Sequence, residues 1–569
     1  MEKALTLGSS KTFLASRSTI MRPVLRTADF RRVEELPERT LREAVEASSY
    51  MQEQLRTEHG SITLRPIQSA ALHEAATTLG LLGCIGVGHG KTIISLLAAS
   101  VIDCERPLLF VPAALKSITI EQRIPELGSH FKLHPNIRVE SYNALSTDRE
   151  LLENYKPDLV ISDECHKLSN VQAARTKRFL RYFDANEHVR FVGLSGTVSR
   201  KSLRDFWHLL LAALRERAPI PLKRSEMFNW AMALDFNVKD YERHAVGALK
   251  RFATTPADEL AKYSRADQLA ACRDGYRRRL TSTPGVVATS DEGVSCSLVL
   301  RSKKVDRYPA NIDQALNNLR HLWLTPSGEE VTDALDFWRK ARELSMGFYY
   351  EWKWESGQAD TEWLEARREW RAYVRRITSR HMKYDTELLV RNACEEGKLH
   401  SPEFHVWNEI KDRANPETVA RWFSDEVLHD AIRNAKGKNT ILWYEHTTVG
   451  QRLATLSSWP LFDGYSAGLI DHVNTGRGPA IASIRAHGTG VNLQAYNESI
   501  VLTPPSSGAT WEQLLGRMHR QGQQADEVVY TVYQHTQEMI EALYKSIENA
   551  SYIEKSMGQK QKLIYATFA

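Results

Sequence analysis

A chain of 569 residues is too long for one hydrophobic core and predicts about three or four domain-sized units. Its 42% hydrophobic and 25% charged residues are an ordinary globular composition, and a formal charge of +5 with a pI near 8.7 means that any phosphate-binding surface must be local. The six cysteines are scattered without a C-x-x-C pair, which argues against a zinc site or disulfide framework and for a reducing compartment; no apolar run approaches the ~18 residues of a membrane helix, so no membrane partner is expected.

Residues 1–60 read as an N-terminal extension whose Arg- and Ser-rich stretch, Lys11 to Arg32, is faintly similar to a transit peptide but is expected rather to pack on the unit that follows or to be partly disordered. From 61 to 219, short apolar runs recur at Leu81–Ile85, Leu108–Val111, Ile137–Tyr142, Leu159–Ser162 and Phe191–Leu194, with helical patterns between several of them. That rhythm predicts a parallel sheet covered by helices, hence an α/β lobe. Residues 437–569 repeat it at Thr440–Tyr444, Ala480–Ile484, Ser499–Leu502 and Val528–Tyr533, giving a second lobe. Between them, 220–436 is rich in Trp, Arg and Glu and reads as a mainly helical insertion, with a short strand pair expected at Gly285–Thr289 and Ser295–Arg301 around the turn Ser290–Gly293.

Two features carry chemistry. Ile85-Gly86-Val87-Gly88-His89-Gly90-Lys91-Thr92 lies between an apolar run and the apolar helix Ile93–Ala99. Glycines let backbone N–H groups turn inward around a phosphate, and a helix N-terminus adds favourable partial charge. Lys91 is then expected on the β- and γ-phosphates of ATP, and the Thr92 hydroxyl on Mg²⁺. The strict phosphate-loop pattern has Gly where Ile85 stands; a plain glycine turn between strand and helix is the alternative. The second feature is Asp158-Leu159-Val160-Ile161-Ser162-Asp163-Glu164-Cys165-His166, an apolar strand ending in two acids. Carboxyl ends of strands are where α/β sheets bind ligands. Asp163 is expected on Mg²⁺, Glu164 on the attacking water, and His166 as a link to neighbouring elements. A solvated acidic turn is the bland alternative.

D-E-C-H after a strand, downstream of G-x-G-K-T, resembles the superfamily 2 helicases. Leu64-Arg65-Pro66-Ile67-Gln68 resembles the family's Q-type motif, which implies that Gln68 contacts the adenine. Phe110-Val111-Pro112-Ala113 and Ser141-Tyr142-Asn143 resemble the two motifs that touch the nucleic-acid backbone. Leu194-Ser195-Gly196-Thr197 resembles the motif that couples hydrolysis to lobe movement, implying roles for Ser195 and Thr197. In the second lobe, His487-Gly488-Thr489-Gly490-Val491-Asn492-Leu493 resembles a further coupling element, with Gly490 at the nucleotide. Gln513-Leu514-Leu515-Gly516-Arg517-Met518-His519-Arg520-Gln521-Gly522-Gln523 fits Q-x-x-G-R-x-x-R-x-G-Q. That match implies an arginine finger at Arg520 assisted by Arg517, with Gln513 in coupling; a planar guanidinium pairs bidentately with phosphate oxygens, and supplying it from the opposite lobe ties catalysis to closure.

The resemblance implies two RecA-like lobes of the P-loop NTPase class, ATP and Mg²⁺ as cofactors, and movement on nucleic acid, most of all DNA. The R-x-G-Q ending and the long insertion resemble the Swi/Snf-like branch, which travels on duplex DNA. D-E-C-H and G-R-M-H-R depart from that branch's commonest spellings, and the compact size without chromatin-reader modules is similar to bacteriophage or bacterial helicases, implying a cytoplasmic setting. An RNA helicase, or a nucleotide-gated binding module without turnover, remains open at this stage. In the insertion, Arg368, Arg371, Arg375 and Arg367 share a helical face suited to phosphates or to solvent, and Trp338, Trp352, Trp354, Trp363 and Trp370 are expected mainly as core. No metal-ligand grouping of a nuclease is evident, so a nuclease, primase or replication function would come from a separate partner.

Overall fold

The computed structural model describes residues 23–39, 50–86, 88–196, 202–235, 238–289, 296–307, 309–328, 331, 334–355, 357–380, 384–464, 468–488, 491–520 and 522–569. The first lobe is built on six parallel strands: β1 (Leu81–Cys84), β2 (Pro107–Val111), β3 (Arg138–Ser141), β4 (Leu159–Asp163), β5 (Arg190–Ser195) and β6 (Val286–Ala288). Their spatial order is β3-β2-β4-β5-β1-β6. Side chains alternate across the sheet. Leu82, Leu108, Phe110 and Val160 enter one core with Phe179, Phe183 and Leu209, while Leu81, Leu109, Leu159, Ile161 and Val192 enter the other with Ala71, Leu72, Leu96 and Leu97. Burial on both faces is why these strands read as unbroken apolar runs.

The chain then runs through β7 (Ser297–Lys303) and leaves for a separate antiparallel strand pair, β8 (Phe348–Lys353) with β9 (Glu417–Trp422). It returns to β10 (Thr440–Tyr444), β11 (Leu461–Phe462), β12 (Ala480–Ser483), β13 (Glu498–Val501), β14 (Glu527–Tyr533) and β15 (Thr567–Phe568). These make a second parallel sheet in the order β11-β12-β10-β13-β14-β7-β15.

The strand pair expected at 285–301 does not form. Both strands exist, but β6 pairs with β1 and β7 pairs with β14, so the segment between them joins the two sheets. The 220–436 stretch accordingly divides three ways. Helices Arg224–Leu234 and Arg265–Ser282 bury Met227, Trp230, Tyr276 and Leu280 on the first lobe. Helices Ala310–Leu322, Ala334–Ser345 and Glu426–Ala435 cover the second sheet. Only the remainder is a satellite, in which Trp370, Tyr373, Val390, Cys394 and Phe404 form a small core. Amphipathic helices covering a sheet and helices in an insertion have the same periodicity, and β6 and β7 are too short to reveal which sheet they join. Helix Ala28–Glu35 packs Phe30 and Val33 into the first core, with the Phe30 ring 5.4 Å from Trp230.

The satellite touches both lobes. It grows from the second, and it meets the first through a buried Arg178–Asp385 pair at 3.2 Å and the Lys177 ammonium, which donates to the Thr378 carbonyl. Its helix Thr361–Arg380 leaves Arg368, Arg371 and Arg375 exposed, while Arg367 lies 4.7 Å over the Trp352 ring. Trp363 and Trp370 are buried; Trp338, Trp352 and Trp354 are half-buried. Among the described residues, no helix is long and apolar enough to cross a membrane.

The second lobe carries an acid sensitivity. His535 donates Nε2–H to the Ser345 carbonyl at 2.7 Å, and burial lowers its pKa to about 4, with that bond and Asp430 opposing. The unfolded chain takes up this proton below about 6.5, whereas the folded one does not until about 4. Stability is therefore complete above the unfolded value and is lost as pH falls between the two. The thermal midpoint is expected to drop over that window, and His535→Gln to flatten the drop by roughly 1–3 kcal/mol; an unchanged slope would remove His535 as the cause.

Candidate functional site

At the carboxyl end of β1 the chain must turn sharply into helix Lys91–Val101. Gly88 (φ 91°) and Gly90 (φ 75°) adopt left-handed backbone there, and Gly90 caps the helix without a side-chain hydrogen bond. The first-turn N–H groups thus face the loop. Ile85 has no such conformation; it is a fully buried core residue, which is why a side chain is tolerated at that position. Gln68 holds the loop from outside: its Nε2 donates to the His89 carbonyl at 3.0 Å and its Oε1 accepts from the Arg65 N–H at 2.9 Å. A Cβ at Gly90 would stand 2.2 Å from that Nε2 and displace it, and the left-handed φ of 75° strains any other residue there. The Arg65 guanidinium donates to the Gly88 carbonyl at 2.8 Å. From inside, Gly86 N–H donates to the Thr289 hydroxyl at 3.0 Å. Val87 lies outside the described residues.

Lys91 is buried. Its Nζ donates to the Gly86 carbonyl at 3.3 Å and lies 3.6 Å from Glu164 Oε1. Thr92 follows it, half-buried in the first turn. The acids arrive at the end of β4, with β5 lying between β4 and β1 in the sheet. Asp163 is buried, and its Oδ1 meets no hydrogen-bond partner among the described residues. Burial, reinforced by Glu164 and opposed by Lys91, pushes it up to about 7. A buried carboxylate oxygen without a hydrogen-bond partner among the described residues is a donor that suits a hard divalent cation.

Glu164 stands at φ 60°, ψ 51°, an uncommon region for a side chain this size. Its carboxylate is gripped on every side. Besides Lys91, Oε2 lies 3.2 Å from His166 Nδ1 and accepts from Ser195 Oγ at 3.3 Å and from Gln513 Nε2 at 3.3 Å. Burial opposes ionisation, but Lys91, His166 and Arg517 outweigh it and hold Glu164 well below the ordinary carboxylate range. His166 and Ser195 also meet directly, at 3.0 Å.

Gln513 belongs to the second lobe, so the site is a seam. Helix Gly508–Leu515 and the turns after it present Gln513, Arg517 and Arg520 to the first lobe. Arg517 is buried and committed: Nε donates to the Gln513 carbonyl at 2.8 Å and Nη1 to that of Val491 at 2.9 Å. Burial and then Arg520 lower its pKa to about 10, with Glu164 opposing. Arg520 differs. It is half-buried and has no carboxylate within ion-pair range among the described residues; burial, then Arg123 and Arg65, lowers its pKa. A Cβ added to Gly88 would lie 3.9 Å from the Arg520 Cβ. Arg65 and Arg520 therefore meet at the glycine loop, with Arg123 close enough to Arg520 to lower its pKa, an arrangement that suits an anion.

Of the residues expected at the site, Gln68, Gly86, Gly88, His89, Gly90, Lys91, Thr92, Asp163, Glu164, His166, Ser195, Gln513, Arg517 and Arg520 stand at the seam. Thr197 and Gly490, like Val87, fall outside the described residues. Sequence reading gave no role to Arg65, Arg123 or Thr289; each stands far along the chain from the residue it meets, and no local pattern marks it. No protein-family model matches the chain, and no curated protein is significantly similar to it.

Proposed function

We propose that this protein is an ATP-driven motor on nucleic acid, a superfamily 2-type ATPase whose two α/β lobes are RecA-like, with DNA as the favoured track and the bacterial or phage-infected cytoplasm as its setting. The observation that carries the reading is the seam. Lys91, Asp163 and Glu164 from the first lobe meet Gln513, Arg517 and Arg520 from the second, around a glycine loop at a helix N-terminus.

In this reading the triphosphate lies along residues 86–92, its oxygens accepting from the first-turn N–H groups. Thr92 and Asp163 would hold Mg²⁺, which neutralises charge on the bridging and terminal phosphates. Lys91 moves from Glu164 towards the phosphate. The water oxygen attacks the γ-phosphorus, the bond from that phosphorus to the β,γ-bridging oxygen breaks, and the water's proton goes to Glu164. Ser195, His166 and Gln513 fix Oε2 of that base, which leaves Oε1 on the Lys91 side. Arg520, without an acidic partner among the described residues, approaches the terminal phosphate when the lobes close.

Motion follows because Gln513 and the arginines report the nucleotide's state to the second lobe. The exposed Arg368, Arg371 and Arg375 face supplies cations for a phosphate backbone. Two displacement assays test the reading: an annealed strand from a partial duplex, and a third strand from a triplex. ATP-dependent loss of the third strand alone supports a Swi/Snf-like translocase, and loss of the annealed strand a helicase; loss of neither contradicts the motor.

A further inference from the structure

The C-terminal residues beyond the long helix Gln537–Met557 carry no motif, yet they reach the seam. Gly558 (φ 69°) ends that helix in left-handed backbone and redirects the chain. The next residue, Gln559, is 2% exposed, and neither its amide nitrogen nor its amide oxygen meets a hydrogen-bond partner among the described residues. Its position is informative. A Cβ added to Gly86 would lie 3.5 Å from Gln559 Nε2, and one added to Gly196 would lie 3.6 Å from that Nε2 and 3.6 Å from Lys91 Nζ. The side chain is thus aimed at the mouth of the glycine loop from the second lobe.

Neighbouring bonds hold it there. The Lys562 N–H donates to buried Glu512 at 2.6 Å, the Gln561 N–H to Glu554 at 3.3 Å, and Gln561 Nε2 to the Gln559 carbonyl at 3.3 Å. Glu512 precedes Gln513, the residue that reaches Glu164. The segment is therefore clamped to the same helix that presents the second lobe's side of the site. A buried amide without partners is costly and is retained where something else satisfies it.

We propose that Gln559 is a further substrate-contacting residue, whose Nε2–H donates to a terminal-phosphate oxygen of the nucleoside triphosphate and so lets the second lobe distinguish triphosphate from diphosphate. The proposal rests on the ATP-site reading above. It makes the tail after the long helix part of the nucleotide gate.

The test uses full-length protein carrying Gln559→Ala, or Gln559→Met, which keeps the length without the amide, should the alanine variant fail to fold. Affinities for fluorescent ADP and for a fluorescent non-hydrolysable ATP analogue are measured with the ligand-free melting temperature. Triphosphate affinity is expected to fall roughly tenfold or more, as for loss of a hydrogen bond to a charged group, with ADP affinity held within about twofold. The melting temperature of ligand-free Gln559→Met is expected to hold or rise, because an unsatisfied amide is gone. Equal losses for both nucleotides, unchanged discrimination, or a lowered ligand-free melting temperature without loss of discrimination would overturn the proposal and make Gln559 structural. Wild-type protein that binds neither nucleotide would overturn the ATP-site reading itself, and this proposal with it.

Discussion

Lys91→Ala is expected to abolish ATP turnover, lowering kcat by about 10³-fold or more, while Glu164→Gln binds ATP and fails to hydrolyse it. The two residues are in contact at 3.6 Å, so the predictions separate roles that proximity alone would merge. Lys91 is a buried cation whose Nζ touches the Gly86 carbonyl of the glycine loop. Removing it takes away the charge that would meet a triphosphate. Glu164→Gln keeps the side chain's length and its oxygen for Ser195 and Gln513, but removes the group that takes the water's proton. Triphosphate affinity should survive, since repulsion between an acid and the phosphates is also lost. Equilibrium binding of a fluorescent ATP analogue, beside steady-state phosphate release, reads both. Normal turnover in both variants would sink the assignment.

The arginine pair should split in a different way. Arg520→Ala is expected to cost 10³-fold or more in kcat, the scale of a removed arginine finger, with little change in melting temperature. Its guanidinium pairs with no acid among the described residues, so, unlike that of Arg517, its loss strands no partner there. Arg520→Lys should rescue poorly, because a point charge cannot reproduce a bidentate fork. Arg517→Ala should behave as a stability variant first. Its Nε and Nη1 satisfy the carbonyls of Gln513 and Val491, and stranding these costs about 1–3 kcal/mol. A melting temperature that falls for Arg517→Ala and holds for Arg520→Ala supports this division; the reverse pattern would exchange their roles.

Strand positions were legible in the sequence because each sheet is covered on both faces. Thr440–Tyr444 was expected and found with the same ends, and Leu81–Ile85 differs from β1 only at Ile85. The lobe boundary was not legible. β6 and β7 lie close in sequence with a polar stretch between them, which is how a hairpin reads, and only the neighbours β1 and β14 show that they part company. At the site, the glycine loop and the two acids were readable because a turn and a strand end impose local spacing. The motif around Arg65 assigns it no role, since its bond to the Gly88 carbonyl depends on how two helices pack. Gln559 was unreadable for the same reason: nothing in Gly558-Gln559-Lys560-Gln561 says that this turn folds back on Gly86. Long-range convergence leaves no periodicity behind.

In the proposed motor, nucleic acid drives a nucleotide site at the lobe seam. The most direct test is the ATPase rate of the full chain with no activator, single-stranded DNA, duplex DNA or RNA, at one fixed low salt concentration because phosphate contacts are salt-dependent. The rate is expected to rise strongly with DNA and to be abolished in every arm by Lys91→Ala. Hydrolysis absent from the wild-type protein in all four arms, or present and indifferent to every nucleic acid, would contradict the proposed motor.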